Sequence, residues 1–286
     1  MKNTSSKLGN RQKKWIAEMV QYLLLILISA IMLLPIFTML TTAVKTKAEI
    51  FQYPPTFIPH TYDFSAFTRV FEKLDLAPHY LNSLFMAGFT VLGTLISSSV
   101  VAYGFSRYRA PGKNILFMLV MSTLMIPYPT VMIPQYILFN KMGWTDTYLP
   151  LIVPSFFGSA YMIFMLRQFF SSISNELFDA ARIDGCSEFK IFYRIVMPLS
   201  KPALASVAIF SFIWSWDDLL GPVIYLSDPK KYTLPVLMAG LTSKFRVPEW
   251  NIMMVASLYA ALPCILLFIF CQRYFVEGIV TSGIKG

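Results

Sequence analysis

Few side chains in this 286-residue chain have types and spacings that could do chemistry. Two histidines, His60 and His79, are too few for a His-based metal site or triad, and no nucleophile–base constellation accompanies them. The three cysteines (Cys186, Cys264, Cys271) form no C-x-x-C pair and no disulfide framework. Cys264 and Cys271 are seven residues apart and share a helix face, which reads as packing. The nearest approach to a phosphate-binding loop, Gly104 to Gly112-Lys113-Asn114, has the wrong spacing and no Ser or Thr after its lysine. No nucleotide-hydrolysing loop of that kind is therefore expected in this chain. Neither a metal nor a catalytic residue is expected. What remains is an acidic pair, Asp217 and Asp218, just behind Trp214 and Trp216. Carboxylates at the end of an apolar stretch are candidates for binding substrate, a proton or an ion. The competing reading places them in solvent beside an interfacial tryptophan belt.

The elements that must position this pair are apolar. The chain is 56% hydrophobic and 14% charged, with a mean hydropathy of +0.58, well outside the range of ordinary soluble domains. We expect an all-α polytopic membrane protein. A hydrocarbon core takes about 20 apolar residues per helix. Six stretches qualify, at about 16–44, 82–106, 114–137, 148–170, 201–226 and 252–276. The third holds Pro127, Pro129 and Pro134 and should kink or end early. The first run is too long for a signal peptide and lacks a clear cleavage site. Residues 1–15 read as a disordered basic arm and 16–286 as a single transmembrane domain.

A net charge of +9 raises the question of nucleic acid, but the basic residues are scattered among apolar spans, and no such partner is expected. With six spans, 15 of the 24 Lys and Arg fall in the arm, the 107–113 connector, the 167–201 insert and the tail. The positive-inside rule then makes both termini and the insert cytoplasmic. Residues 45–81, with Pro54, Pro55 and Pro59, read as a small lid on the opposite side, and 228–251 as an outer loop.

One long polar insert, Asn175 to Pro202, interrupts the apolar pattern. Its first half reads as a helix capped by Ser174 or Asn175, with Leu177, Phe178, Ala181 and Ile183 as a partial apolar stripe and Gly185 at a left-handed stop. A second run, capped by Ser187, places Phe189, Phe192, Tyr193 and Val196 near one face, and Pro198 and Pro202 end it. The polar residues are mixed in sign (Glu176, Asp179, Arg182, Asp184, Glu188, Lys190, Arg194). That mixture favours a two-helix knob filling a groove on another protein over a basic helix lying on a membrane.

Within the insert, Asp179-Ala180-Ala181, three residues, Gly185, nine residues, Ile195, one residue and Met197-Pro198 resemble the loop signature of ABC-importer permeases. The chain departs from it at Asp179, where the family has Glu, and at Met197, a volume-conserving change from Leu. Asn82-Ser83-Leu84, Ala102 to Arg107, Pro111-Gly112-Lys113, Trp216-Asp217-Asp218-Leu219 (usually Trp-Asn) and Arg273 to Gly278 are similar to the maltose-type oligosaccharide branch. The likeness runs over nearly the whole chain from the first span onward.

The resemblance implies a permease subunit in a bacterial or archaeal cell (inner) membrane. It implies a homologous second permease, a dimer of cytoplasmic ABC ATPases that hold the ATP and Mg, and an extracytoplasmic solute-binding protein. Residues 171–200 would be the coupling loop seated in an ATPase cleft. Its contact residues would be Asp179, Ala180, Ala181, Asp184, Gly185, Phe189, Ile195 and Pro198. Ala180 and Ala181 would permit close approach, Gly185 the turn, and Asp179 an ion pair with the partner, while Phe189 or Phe192 would pack in the cleft. The implied cargo is an oligosaccharide or related sugar. Glycerol phosphate esters or another polyol are the alternative within the class, and ion-coupled transport through Asp217 or Asp218 the alternative outside it. For a sugar, Trp214, Trp216, Asp217 and Asp218 would line a cavity, pairing aromatic faces with carboxylate acceptors.

Overall fold

The computed structural model describes the backbone of residues 4–244 and 249–283, and the side chains of 14–241 and 249–272. The Arg273 to Gly278 side chains that entered the family resemblance lie outside those residues. Helices account for every regular element among the described residues. The opening apolar run forms α1 (Thr4–Ala43), which begins inside the stretch expected to be a disordered arm. Helix propagation adds one hydrogen bond per residue once a nucleus exists, so the apolar span extends its helix backwards cheaply.

Next come α2 (Ser65–Leu74) and α3 (Leu76–Arg107). The third expected span divides into α4 (Lys113–Ser122), continued by a 3-10 turn to Met125, and α5 (Tyr128–Lys141), bent by 98°. The cause is local: Pro127 forces Ile126 into an extended conformation (φ −84°, ψ 114°), and the helix cannot pass through it. The fourth stretch opens with Leu149–Ile152 and a 3-10 segment, Val153–Phe157, before α6 (Ala160–Ser172). The insert contains α7 (Asn175–Ile183). The expected span 201–226 resolves into α8 (Lys201–Trp216), a break at Asp217–Leu219 and a short helix Leu220–Tyr225. Asp218 marks this restart, its Oδ1 accepting the Gly221 N–H at 3.0 Å as a helix cap does. The chain closes with α9 (Leu234–Lys244) and α10 (Trp250–Gly283).

Among the described residues four stretches are long and apolar enough to cross a bilayer: Lys14–Ala43, Leu76–Arg107, Leu149–Ser172 and Trp250–Gln272. Two bent pairs, the 98° pair above and Glu188–Leu199 with Lys201–Trp216 at 78°, bring the total to six if each is one span.

Contacts group the chain into two units, Met1–Lys73 with Phe245–Leu258, and Leu74–Lys244 with Tyr259–Gly286. In the first, Glu249 accepts from Lys47 Nζ (3.1 Å), Lys73 Nζ (2.6 Å) and Arg69 Nη2 (3.0 Å), over buried Ala66, Val70, Ile252 and Val255. In the second, α3 is the spine, with α6 and α8 packed along it. One core there joins Ala102 and Tyr103 of α3, Leu166 and Phe170 of α6, Phe178 and Ala181 of α7, and Ala203 and Val207 of α8. The polar insert is thus bound into the same core as the spans it connects.

Candidate functional site

The insert folds as two short helices about a glycine corner. Ser174 caps α7, its hydroxyl accepting the Glu176 N–H at 3.3 Å, and Ser187 caps Glu188–Ile191 by accepting the Lys190 N–H at 3.4 Å. Gly185 sits at φ +77°. The Cys186 N–H reaches the Ala181 carbonyl (2.9 Å) and the Gly185 N–H the Arg182 carbonyl (3.0 Å), the two bonds of a Schellman stop. A five-residue π-turn, Phe192–Val196, follows.

Which residues face outward differs from the expected stripes. Phe178 and Ala181 are buried, whereas Ile183 is 87% exposed, on the far side of the same helix. In the second run Ile191 and Val196 are buried while Phe189 is 77% and Tyr193 66% exposed. The π-turn is the reason: its wider repeat brings residues five apart onto one face, displacing the 3.6-residue pattern read from the sequence. Of the eight residues expected at the coupling surface, Asp179, Ala180, Asp184, Gly185, Phe189 and Pro198 are exposed, Ile195 is half-buried, and Ala181 belongs to the core. The expectation did not include Ile183 or Tyr193 among them.

Two polar anchors hold the knob to α3. Arg107 donates through Nη1 to Asn175 Oδ1 (2.8 Å) and through Nη2 to the carbonyls of Phe170 and Ile173, with its guanidinium 3.8 Å over the Phe178 ring. It thereby adds a side-chain donor to the carbonyls in and just past the last turn of α6, where Phe170 also accepts the Ile173 N–H at 3.4 Å. Glu188 accepts from Arg182 Nε (2.9 Å) and the Tyr103 hydroxyl (3.0 Å), and the Arg182 bond holds its carboxyl below the usual carboxylate range. Asp179 pairs within the loop, 3.2 Å from Arg182 Nη1.

The four residues proposed for a cavity separate onto two. Trp214 and Asp218 line a space of about 320 Å³ together with Thr90, Thr94, Ser211 and Ser215. Trp216 and Asp217 line another, of about 420 Å³, with Leu234, Pro235 and Cys264. Trp216 is 2% exposed; its indole N–H donates to the Ala260 carbonyl (3.0 Å) and its ring stacks on Phe212 at 5.5 Å, so it packs the helix pair. The hydroxyls were not legible in advance, because each belongs to a helix whose facing partner is set by packing.

A third polar cluster was likewise unforeseen. Asp146, at φ +59°, accepts the N–H groups of Ser227 (3.0 Å) and Asp228 (2.9 Å) and pairs with Lys231 Nζ at 2.7 Å. The Lys231 bond, then those backbone donors, hold its pKa at about 2. His79 Nδ1 lies 2.8 Å from the Tyr232 carbonyl, and Asn82 donates to the carbonyls of Lys230 and Tyr232, closing a clasp on residues 227–232.

Several known proteins similar to this chain are transport components. The family described as "Binding-protein-dependent transport system inner membrane component" matches residues 93–280. The arabinooligosaccharides transport system permease protein AraQ of Bacillus subtilis (strain 168) is 33% identical over 267 residues, 92% of this chain and 94% of that protein. The sn-glycerol-3-phosphate transport system permease protein UgpE of Yersinia pestis bv. Antiqua (strain Antiqua) is 30% identical over 268 residues, 91% and 95% of the two chains. A chain in the crystal structure of a bacterial ABC transporter that imports the acidic polysaccharide alginate superposes with a TM-score of 0.82 at 24% identity, over 96% of this chain and 99% of that one. The all-α fold with its bent spans is therefore a permease fold, and the chain belongs to the family of binding-protein-dependent transport system inner membrane components.

Proposed function

We propose that the chain is the translocating subunit of an importer for a neutral oligosaccharide, and that the Asn175–Pro202 loop couples it to a separate ATPase. The observation that carries the coupling is the loop's two-sidedness. Its inner side shares a core with α3, α6 and α8, while its outer side presents Ile183, Phe189 and Tyr193 to an absent partner. A force on the outer face has a direct path to three helices, because the Schellman turn fixes the corner and Arg107 ties α7 to α3 and the end of α6. The ATPase dimer carries the ATP and Mg. Its closure shifts this chain and a second, homologous permease between two arrangements of their shared path. The Lys and Arg distribution supports a cytoplasmic loop and cytoplasmic termini, with a solute-binding protein delivering cargo to the opposite face. Asp179, already bound to Arg182, offers its partner an ion pair only by sharing that contact.

Sugar is favoured over a phosphate ester because AraQ is the more similar of the two relatives and because no Lys or Arg among the described residues lines the cavity holding Asp218. The deciding experiment is ATP-driven uptake in proteoliposomes containing the whole transporter, with lactose, raffinose, an arabino-oligosaccharide and sn-glycerol 3-phosphate as cargoes. Uptake of a neutral sugar is expected, lost together with ATPase pull-down in Gly185→Val. Uptake restricted to the phosphate ester would overturn the cargo, and undiminished ATPase binding and uptake by the variant would overturn the coupling role.

A further inference from the structure

We propose that the cavity walled by α3, the Leu149–Phe157 segment, α6 and α8 is a subsite in this chain for one neutral sugar ring; the inference rests on the sugar reading above. Ser211 and Thr90 supply hydroxyl contacts, Asp218 accepts from the ring, and Trp214 covers its apolar face.

Unsatisfied groups point to a ligand first. Ser211 is only 4% exposed, yet its Oγ has no hydrogen-bond partner, and the same holds for the buried Oγ1 of Thr90. Buried hydroxyls are nearly always paired, so two unpaired ones on residues that line a single space point to a polar guest there. Thr94 and Ser215 add two more hydroxyls to the wall. Each can donate and accept, matching the mixed character of sugar hydroxyls. Asp218 spends one oxygen on the Gly221 N–H and keeps acceptor capacity. A Cβ on Gly221 would meet Asp218 Oδ2 and Leu151, so the absence of a side chain there leaves the carboxylate its place.

Size and charge narrow the guest. At about 320 Å³ the space lies near the lower end of small-molecule pockets, about 300–1,000 Å³, which suits one ring and not a chain. A lone carboxylate with no cation in the wall repels phosphate esters and uronates. Trp214 is 54% exposed, with Tyr161 5.8 Å and Phe210 6.3 Å from its ring, so aromatic faces continue outward from the hydroxyl pocket. The C–H face of a pyranose stacks on such a surface while its rim hydroxyls turn into the pocket. A cavity with this many hydroxyls and a carboxylate in its wall has room and partners for water when no sugar is present, and the ring's hydroxyls replace those bonds.

The test uses the complete transporter in proteoliposomes with lactose and raffinose as probes, comparing Trp214→Leu, Asp218→Asn and the Thr90→Val/Ser211→Ala pair with the unchanged chain. Sugar delivered per ATP should fall roughly tenfold for Asp218→Asn and Trp214→Leu and roughly threefold for the hydroxyl pair. ATP hydrolysis stimulated by the binding protein should stay within about twofold in all of them. Normal sugar delivery by all the variants overturns the subsite and leaves the sugar-importer reading standing. Parallel loss of transport and ATP hydrolysis also overturns it, since that is the mark of a structural role. An unchanged chain that carries neither of these probes nor an arabino-oligosaccharide overturns both readings together.

Discussion

In the polar loop, the groups that matter lie within one short insert, and neighbours in sequence are neighbours in space: Ser174 with Glu176, Asp179 with Arg182, Ala181 with Cys186. Around the cavity, Thr90, Ser211 and Asp218 reach one space from α3, α8 and the break beyond it. The first region is held by backbone geometry and a capped turn, the second by the packing of spans that each look uniformly apolar. Local construction makes the loop's outer face continuous, which suits the coupling role proposed for it. Assembly from several helices makes the cavity sensitive to how they pack, which suits the sugar site proposed there.

The sharpest way to break this contrast is at Arg107, which ties the loop to the spans. Arg107→Ala removes bonds to Asn175 and to the carbonyls of Phe170 and Ile173, and should cost about 3 kcal/mol, the upper range for a charged hydrogen-bonding group. A large fall in Tm in detergent is expected, with Arg107→Lys intermediate; an unchanged Tm would show that the core alone fixes the loop. Next is Gly185, where a side chain in the left-handed region costs about 1–2 kcal/mol. Gly185→Val should abolish ATP-driven uptake while insertion into the membrane persists, and Gly185→Asn should retain most of it, because Asn tolerates that conformation. Equal activity of the two variants would remove backbone geometry as the explanation.

A smaller, local effect is expected at the Asp146 clasp. Its folded pKa of about 2 lies below the ordinary value of 3.8, so the clasp is fully stabilised above about pH 4 and weakens as pH falls through about 2. Amide hydrogen exchange at Ser227 and Asp228, corrected for intrinsic rates, should rise over that window. Asp146→Ala should raise it roughly tenfold at pH 7 and abolish the pH dependence; a flat profile in the unchanged chain would argue that other bonds hold residues 227–232. Smallest in stability is Phe189→Ala. With its ring 77% exposed, Tm should move by no more than about 0.5 kcal/mol's worth, while ATPase pull-down weakens. Loss of Tm without loss of binding would move Phe189 from the docking face to the fold.

Legibility followed the range of the interactions. Ser174 and Ser187 cap their helices, Gly185 takes the left-handed turn, and Pro127 breaks the third span, each through chemistry confined to a few residues. Asp218 was singled out as a carboxylate near an apolar stretch, and it lines a cavity; Trp216, expected to offer a sugar an aromatic face, packs against Ala260 and Phe212. Ile183 and Phe178 are both apolar and five residues apart, and only the packing of α7 sends one to solvent and the other to the core. The expected second stripe failed because the π-turn at Phe192–Val196 shifts the helical phase.

The amino-acid sequence by itself determined that this is a polytopic helical protein and that residues 179–198 carry the spacing of an ABC-importer loop. Those features depend on hydropathy and on turn and capping preferences, which act over a handful of residues. Only the tertiary structure decided which apolar residues of the loop face outward, that Arg107 and Glu188 anchor it, and that Thr90, Ser211, Trp214 and Asp218 share one space. In a chain whose spans are apolar on every side, hydropathy no longer distinguishes inward from outward faces. Side-chain fit between helices then decides, and no short stretch of sequence contains it.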